Sequence, residues 1–218
     1  STRVMSSAAS DVYKRQVITR KMSEKIDFYN SLELTLIEAE NLISDGVDNS
    51  KSLFHTPVLS TFVDKTISTR TVVLREFDSK NRTLRFHTDN RSGKIEELKE
   101  NSISSVHGYD PELKVQIRLK GKTSLHINDE ISKKAWAKSR EMSKMCYSVK
   151  DSPGIKISSP EPFDLIKEEI DIELGYDNFA VLLFHYDSLE FLFLKGAGHR
   201  RSLFDWSSDQ LKSSWLIP

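Results

Sequence analysis

The chain has a single cysteine, Cys146, in 218 residues, which excludes an internal disulfide and any zinc site built from several thiolates. Such a sequence suits a reducing compartment, and Cys146 reads as a small hydrophobe or a bystander. Net charge is missing too, since Lys plus Arg total 32 and Asp plus Glu total 32. No summed field therefore recruits nucleic acid or an anionic membrane, and any anion binding has to come from local clusters. No apolar run approaches the roughly 18 residues that a membrane span requires, and no basic-then-apolar secretory pattern opens the chain. A cytoplasmic protein is expected. No Ser/His/Asp set or carboxylate pair competes for the role of active site, and no histidine cluster has metal-ligand spacing.

The length suits one domain with a substantial core, expected over residues 22–218. Residues 1 to about 21 show neither a helical nor a strand period. Within them, Asp11-Val12-Tyr13-Lys14-Arg15-Gln16 resembles the translated transposon end used in sequencing libraries. This head is set aside as non-native or disordered, with Met22 as the expected natural start. From Asp27 the pattern turns helical: Leu32, Leu36, Ala39 and Ile43 form one stripe, and Gly46 is expected to cap the helix end. His55, just before Thr56-Pro57, reads as a structural histidine ahead of a strand over Val58 to Val63.

The centre of the chain is Ser68 to His126. Ser68-Thr69-Arg70-Thr71-Val72-Val73-Leu74-Arg75 reads as a β-branched strand with an arginine near each end, a plausible anion-binding edge. Thr71–Phe77 and Arg82–Thr88 are expected to form a hairpin about Asp78-Ser79-Lys80-Asn81. Ser92 is a good N-cap for a helix over Gly93 to Asn101, which puts Lys94 in a first turn that already favours anions. Val115, Ile117 and Leu119 alternate with Gln116, Arg118 and Lys120, and Gly121 admits a close backbone approach. After Asp129, an N-cap, a helix is expected to carry Trp136 and Arg140 on one face. Ser148 to Pro162 reads as a long loop and Phe163 to Leu174 as an acidic stretch. Phe179–Tyr186 and Leu189–Leu194 read as two strands turning at Asp187-Ser188. A basic loop, Gly196 to Arg201, and an apolar terminal strand at Trp215 to Pro218 follow. About six short strands with a few helices predict a mainly β protein, a closed or nearly closed antiparallel barrel with flanking helices.

This order of motifs resembles the pyridoxamine 5'-phosphate oxidase family of FMN-binding split barrels, over roughly Phe28 to the C-terminus. The resemblance implies a homodimeric split β-barrel with FMN in a groove built by both chains. It implies that Arg70, Ser92 and Lys94 hold the FMN phosphate, with Val72 and Val73 beside the flavin. Thr88 would contact the phosphate or ribityl chain, and Gln116 the isoalloxazine ring. On the substrate side it implies Arg75, Trp136, Arg140 and Ser143, where Arg75 stands for a lysine and Trp136 for a tyrosine. Gly93 departs from an often basic position, Leu192 or Leu194 stands where a tryptophan usually stacks on the flavin, and His199-Arg200-Arg201 replaces an arginine-x-histidine element. The implied activity is an FMN-dependent oxidoreductase acting on pyridoxamine or pyridoxine 5'-phosphate or a related anionic substrate, with Arg200 and Arg201 facing added negative charge. The alternative is a non-catalytic flavin carrier, sensor or scaffold. No catalytic side chain or metal is implied, because the cofactor itself carries the redox chemistry.

Overall fold

The computed structural model describes residues 26–160, 171–208 and 210–218. The proposed head and most of the acidic stretch lie outside the described residues.

Nine strands form one antiparallel sheet: β1 Val58–Val63, β2 Thr66–Thr71, β3 Leu74–Asp78, β4 Thr83–Asp89, β5 Ile103–Asp110, β6 Val115–His126, β7 Phe179–Phe193, β8 Arg200–Asp205 and β9 Lys212–Leu216. Their order is β2-β1-β5-β6-β7-β4-β3, with β8 and β9 branching from β7. Helix α1 (Leu32–Asp48) packs on this sheet through Ala39 and Ile43, while α2 (Gly93–Glu100) follows β4. Helices α3 (Glu130–Lys138) and α4 (Glu141–Met145) follow β6. The expected mainly β fold with flanking helices is what forms. Among the described residues no helix is long and apolar enough to cross a membrane.

The alternation in sequence decides which face is core. Leu84 and Phe86 of β4, and Val115, Ile117 and Leu119 of β6, are buried with Leu182, Phe184 and Phe191 of β7, while Arg85, His87, Gln116 and Arg118 face the other way. Asp129 caps α3 through a capping box with Ser132, as expected.

Several expectations are corrected. Ser68 to Arg75 is not one strand: it breaks at Val72-Val73 between β2 and β3, where Val72 N–H donates to Pro57 O. The predicted hairpin at Asp187-Ser188 is instead one 15-residue strand, β7, because β6 is long enough to pair with it on both sides of that dipeptide. Gly46 lies inside α1 rather than beyond its end, where the helix passes so close to Phe54 that a Cβ would lie 2.6 Å from its carbonyl carbon. His55 Nδ1 meets Gly46 O at 2.6 Å, which fixes the same crossing.

The β6–β7 register shifts at Gly121, where Asp187 is the extra residue on β7, and a Cβ on Gly121 would lie 2.0 Å from His185 O. Gly121→Ala is expected to lower stability by roughly 3 kcal/mol, whereas Gly93→Ala, whose Cβ would meet only Glu97 at 3.9 Å, should stay within about 0.5 kcal/mol of the parent. Urea unfolding of both variants tests this, and equal losses would contradict the close approach at Gly121.

Candidate functional site

The end of β2, the end of β4 and the start of α2 meet around two cations. Lys94 Nζ donates to Thr88 Oγ1 and Ser92 Oγ, each at 2.9 Å, and both hydroxyls are buried. Burial pushes the Lys94 ammonium below its usual range, and the nearby Arg70 guanidinium pushes it the same way. Ser92 ends β4's turn and precedes α2, but its hydroxyl donates to Asp89 O at 2.7 Å and does not cap the helix N–H groups. The first turn of α2 thus lacks a side-chain cap beside a desolvated lysine, an arrangement suited to a phosphate.

Arg70 is not free. Its guanidinium pairs with Glu97 Oε2 at 2.7 Å, donates to Ser68 Oγ at 2.6 Å and to Thr61, and Thr61 in turn donates to Glu97. The sequence pattern does not single out Glu97, whose spacing from Lys94 looks like that of any solvated helix charge. Only the register that sets Arg70 opposite Leu59, next to Thr61, brings it under α2.

Gln116 lies on the opposite face. Arg70 shares a row with Leu59, Val106 and Leu119, turned to the core, whereas Gln116 shares one with Tyr109 and Leu192, turned outward. Gln116 Oε1 meets His107 Nε2 at 3.2 Å. The outward row continues through Arg201, opposite Leu192, to Leu216 of β9. Arg201 and Arg118 both bind Glu190, with Arg201 Nε 2.9 Å from Oε1. Arg200 lies over the Tyr29 ring, 3.9 Å from its centroid, and donates to Asn30. His199, Arg200, Arg201 and Trp215 line an open cavity of about 450 Å³. The basic run expected as a loop therefore ends in strand β8 with both arginines engaged.

The substrate-side residues separate. Helix α3 ends at Lys138, and Arg140 is the exposed N-cap of α4, so Trp136 and Arg140 do not share a helical face. Trp136 is 6% exposed and packs against Tyr147, Tyr176 and Phe179, with Lys144 Nζ 5.0 Å from its ring centroid. Its indole is core, and Tyr147 and Tyr176 are the half-buried rings of this cluster. Ser143 is half-buried in α4. Arg75 makes no hydrogen bond or ion pair among the described residues, yet its charge acts on both His87 and Tyr147. Burial, then Arg85 and Arg75, lower the His87 pKa to about 3, and burial raises that of Tyr147 to about 12. His87 Nε2 is buried without a partner.

A hydrogen-bonded Ser/His/Asp chain does exist, contrary to expectation: Ser124 Oγ lies 3.0 Å from His126 Nε2, and His126 Nδ1 2.8 Å from Asp129. Asp129 is also committed to capping α3, and Ser124 Oγ lies 3.3 Å from Leu183 O. The chain fastens the end of β6 to the start of α3.

Among the described residues no group of three or more His, Cys, Asp or Glu side chains could hold a metal. Residues 38–127 match the family model described as the FMN-binding domain of pyridoxamine 5'-phosphate oxidase. Over those residues the chain is similar to the FMN-binding domain of that family. The chain is similar in fold to a pyridoxamine 5'-phosphate oxidase-related FMN-binding protein from Nostoc punctiforme, with 21% identity, TM-score 0.68, and coverage of 83% of this chain and 96% of that one. It is similar also to PhzG from Burkholderia lata, solved in complex with tetrahydrophenazine-1-carboxylic acid, with 21% identity, TM-score 0.62, and coverage of 86% and 90%. No curated protein matches the chain in sequence.

His87 gives the site a pH signature. The unfolded chain takes up a proton near pH 6.5, whereas the folded chain resists until about pH 3. Stability should therefore fall as pH drops below about 6.5, by up to about 2 kcal/mol between pH 7 and 5. His87→Phe should flatten that slope in urea unfolding at several pH values; an unchanged slope would mean His87 titrates normally.

Proposed function

We propose that the chain is an FMN-dependent oxidoreductase of the pyridoxamine 5'-phosphate oxidase type with altered substrate preference. The observation that carries the reading is Lys94, desolvated, held by Thr88 and Ser92 at an uncapped helix start and placed beside Arg70. Lys94, Arg70, Thr88 and Ser92 hold the FMN phosphate, and the Val72-Val73 break lets the backbone pass beside the flavin. Bound FMN would supply the redox chemistry, as acceptor for a hydride from the C–H bond of a substrate carbon attached to nitrogen, with oxygen as the final electron acceptor. The protein orients the substrate, and Arg75, whose guanidinium has no ion-pair partner among the described residues, is its anion anchor. Arg140 and Ser143 are further candidates for the substrate phosphate. Arg200 and Arg201 reach a ligand only by giving up contacts to Asn30 and Glu190.

The cofactor test is direct. The purified protein should be yellow, and the released chromophore should be FMN. Arg70→Ala and Lys94→Ala should each weaken FMN binding in a fluorescence titration roughly ten- to hundredfold, the equivalent of about 1.5–3 kcal/mol for a charge-assisted contact. Glu97→Gln, which removes the competing anion but keeps an acceptor for Arg70, should tighten it. Unchanged affinity in all three would move the phosphate elsewhere.

The outward position of Gln116, against the inward Arg70, supports a homodimer in which one chain supplies the phosphate cluster and its partner the Gln116 face. That outer face also exposes Phe62 opposite Ile67, along with Ile103 and Tyr109. Sedimentation should give a dimer; a monomer with full FMN occupancy contradicts the shared site.

The second reading, a flavin-binding carrier, sensor or scaffold, is favoured by the buried Trp136 and the engaged Arg200 and Arg201, which leave a sparse substrate face. Anaerobic stopped-flow mixing with pyridoxamine 5'-phosphate separates the two. Slow bleaching is expected of the oxidoreductase, because misplacing the reacting carbon by about 1 Å can cost on the order of a hundredfold. No bleaching with any phosphorylated or carboxylated amine supports the carrier.

A further inference from the structure

Between β4 and α2 the turn Asp89-Asn90-Arg91 faces two ways. On one side it leads straight into Ser92, whose hydroxyl donates to Asp89 O and accepts from Lys94. On the other it reaches across to the chain after α4. Arg91 Nε and Nη2 grip the two oxygens of Asp89 at 3.0 and 2.7 Å, and the Arg91 backbone N–H donates to the same carboxylate at 2.8 Å. Arg91 Nη1 then donates to Lys150 O and Nη2 to Val149 O, both at 3.0 Å. Asn90 adds bonds to Asp177 O and Asn178 O, and Asn178 Nδ2 donates to Tyr147 O at 2.8 Å.

This is more than a surface ion pair. Asp89 is buried, and a planar fork clamped by a buried carboxylate presents its remaining N–H groups in a fixed direction. Beyond Arg91, residues 149–157 form an arch that borders a cavity of about 240 Å³ lined by Asp89, Arg91, Cys146, Val149 and Ile155. Among the described residues, the Arg91 bonds are the hydrogen bonds that tie this arch to the rest of the fold. Lys94 feels the charge of Asp89, and so does Tyr147, so the carboxylate lies between the two regions electrostatically as well.

We infer that Arg91 is a positioning residue that couples occupancy of the cluster around Lys94 to the order of segment 149–157, so that cofactor loading organises the chain that follows Arg140 and Ser143. A phosphate seated on Ser92 and Lys94 immobilises the turn that carries the Asp89–Arg91 clamp. The clamp then holds the carbonyls of Val149 and Lys150 for less loss of freedom, which is coupling by shared ordering. This rests on the flavin reading above.

Limited digestion with trypsin reads the coupling, because Lys150 and Lys156 lie exposed in the arch. In the parent, saturating FMN should slow cleavage after these two lysines by on the order of tenfold, within the range of ordinary site-to-site coupling. In Arg91→Ala the ratio of rates without and with FMN should fall below about twofold, while flavin fluorescence still reports binding. A merely structural role would instead raise both rates and leave their ratio intact. Arg91→Lys should lie between, since one ammonium can meet Asp89 but cannot also bridge two carbonyls; should Arg91→Ala fail to fold, this variant carries the comparison. FMN binding with undiminished protection in the variants overturns the inference alone, as does binding without protection in the parent. A parent that binds no FMN overturns the cofactor reading and this inference with it.

Discussion

The fold depends on one strand having two different neighbours along the same edge. β7 pairs with β6 from Val181 to Phe193 across one register shift, with β4 over its first half and with β8 over its second. The exchange happens at Tyr186 to Ser188, where Tyr186 N–H goes to Arg82 O and Trp206 N–H returns to Asp187 O, leaving the ladder without a break in satisfied groups. Because the sheet forks there, its two branches carry different chemistry. The β4 branch leads into the turn and helix that hold Lys94, and the β8 branch carries Arg200 and Arg201.

Charge follows the same division. The chain has no net charge, so its anion chemistry lives in clusters that each include their own carboxylate. Arg70 has Glu97, Arg91 has Asp89, and Arg118 with Arg201 share Glu190. For Glu190, burial works against ionisation, but the two arginines outweigh it and hold the carboxyl below its usual range. Lys94 and Arg75 stand apart, the first held only by hydroxyls and the second with neither a hydrogen bond nor an ion pair among the described residues. Those two cations are where a ligand charge gains most.

The sequence made the strands around the core legible, since Leu84, Phe86, Val115, Ile117 and Leu119 alternate strictly with polar neighbours. Gly121 announced a close approach, and Asp129 a helix start, because both are local chemistry. What local pattern cannot carry is pairing. Asp187-Ser188 looks like a turn, and only the length of β6 opposite it makes it strand. Trp136 and Arg140 are four apart, the spacing of helical neighbours, yet Ser139 and Arg140 adopt extended backbone and end the helix between them. Of the site, the cations were visible as residue types, but their partners Thr61 and Glu97 were not, since these arrive from other elements through register.

The Arg70–Glu97 pair has a consequence for life without a ligand. A cluster of bare cations would repel itself in the empty protein and make folding wait for the cofactor. By bringing an internal counter-ion under α2, this chain removes that obligation, and the empty form keeps Arg70 neutralised. An anion arriving at this cluster would exchange partners with Glu97 at Arg70 rather than rescue an exposed charge. Any such exchange gains less than a bare site would gain, so an anion taken up at this cluster could leave as well as arrive.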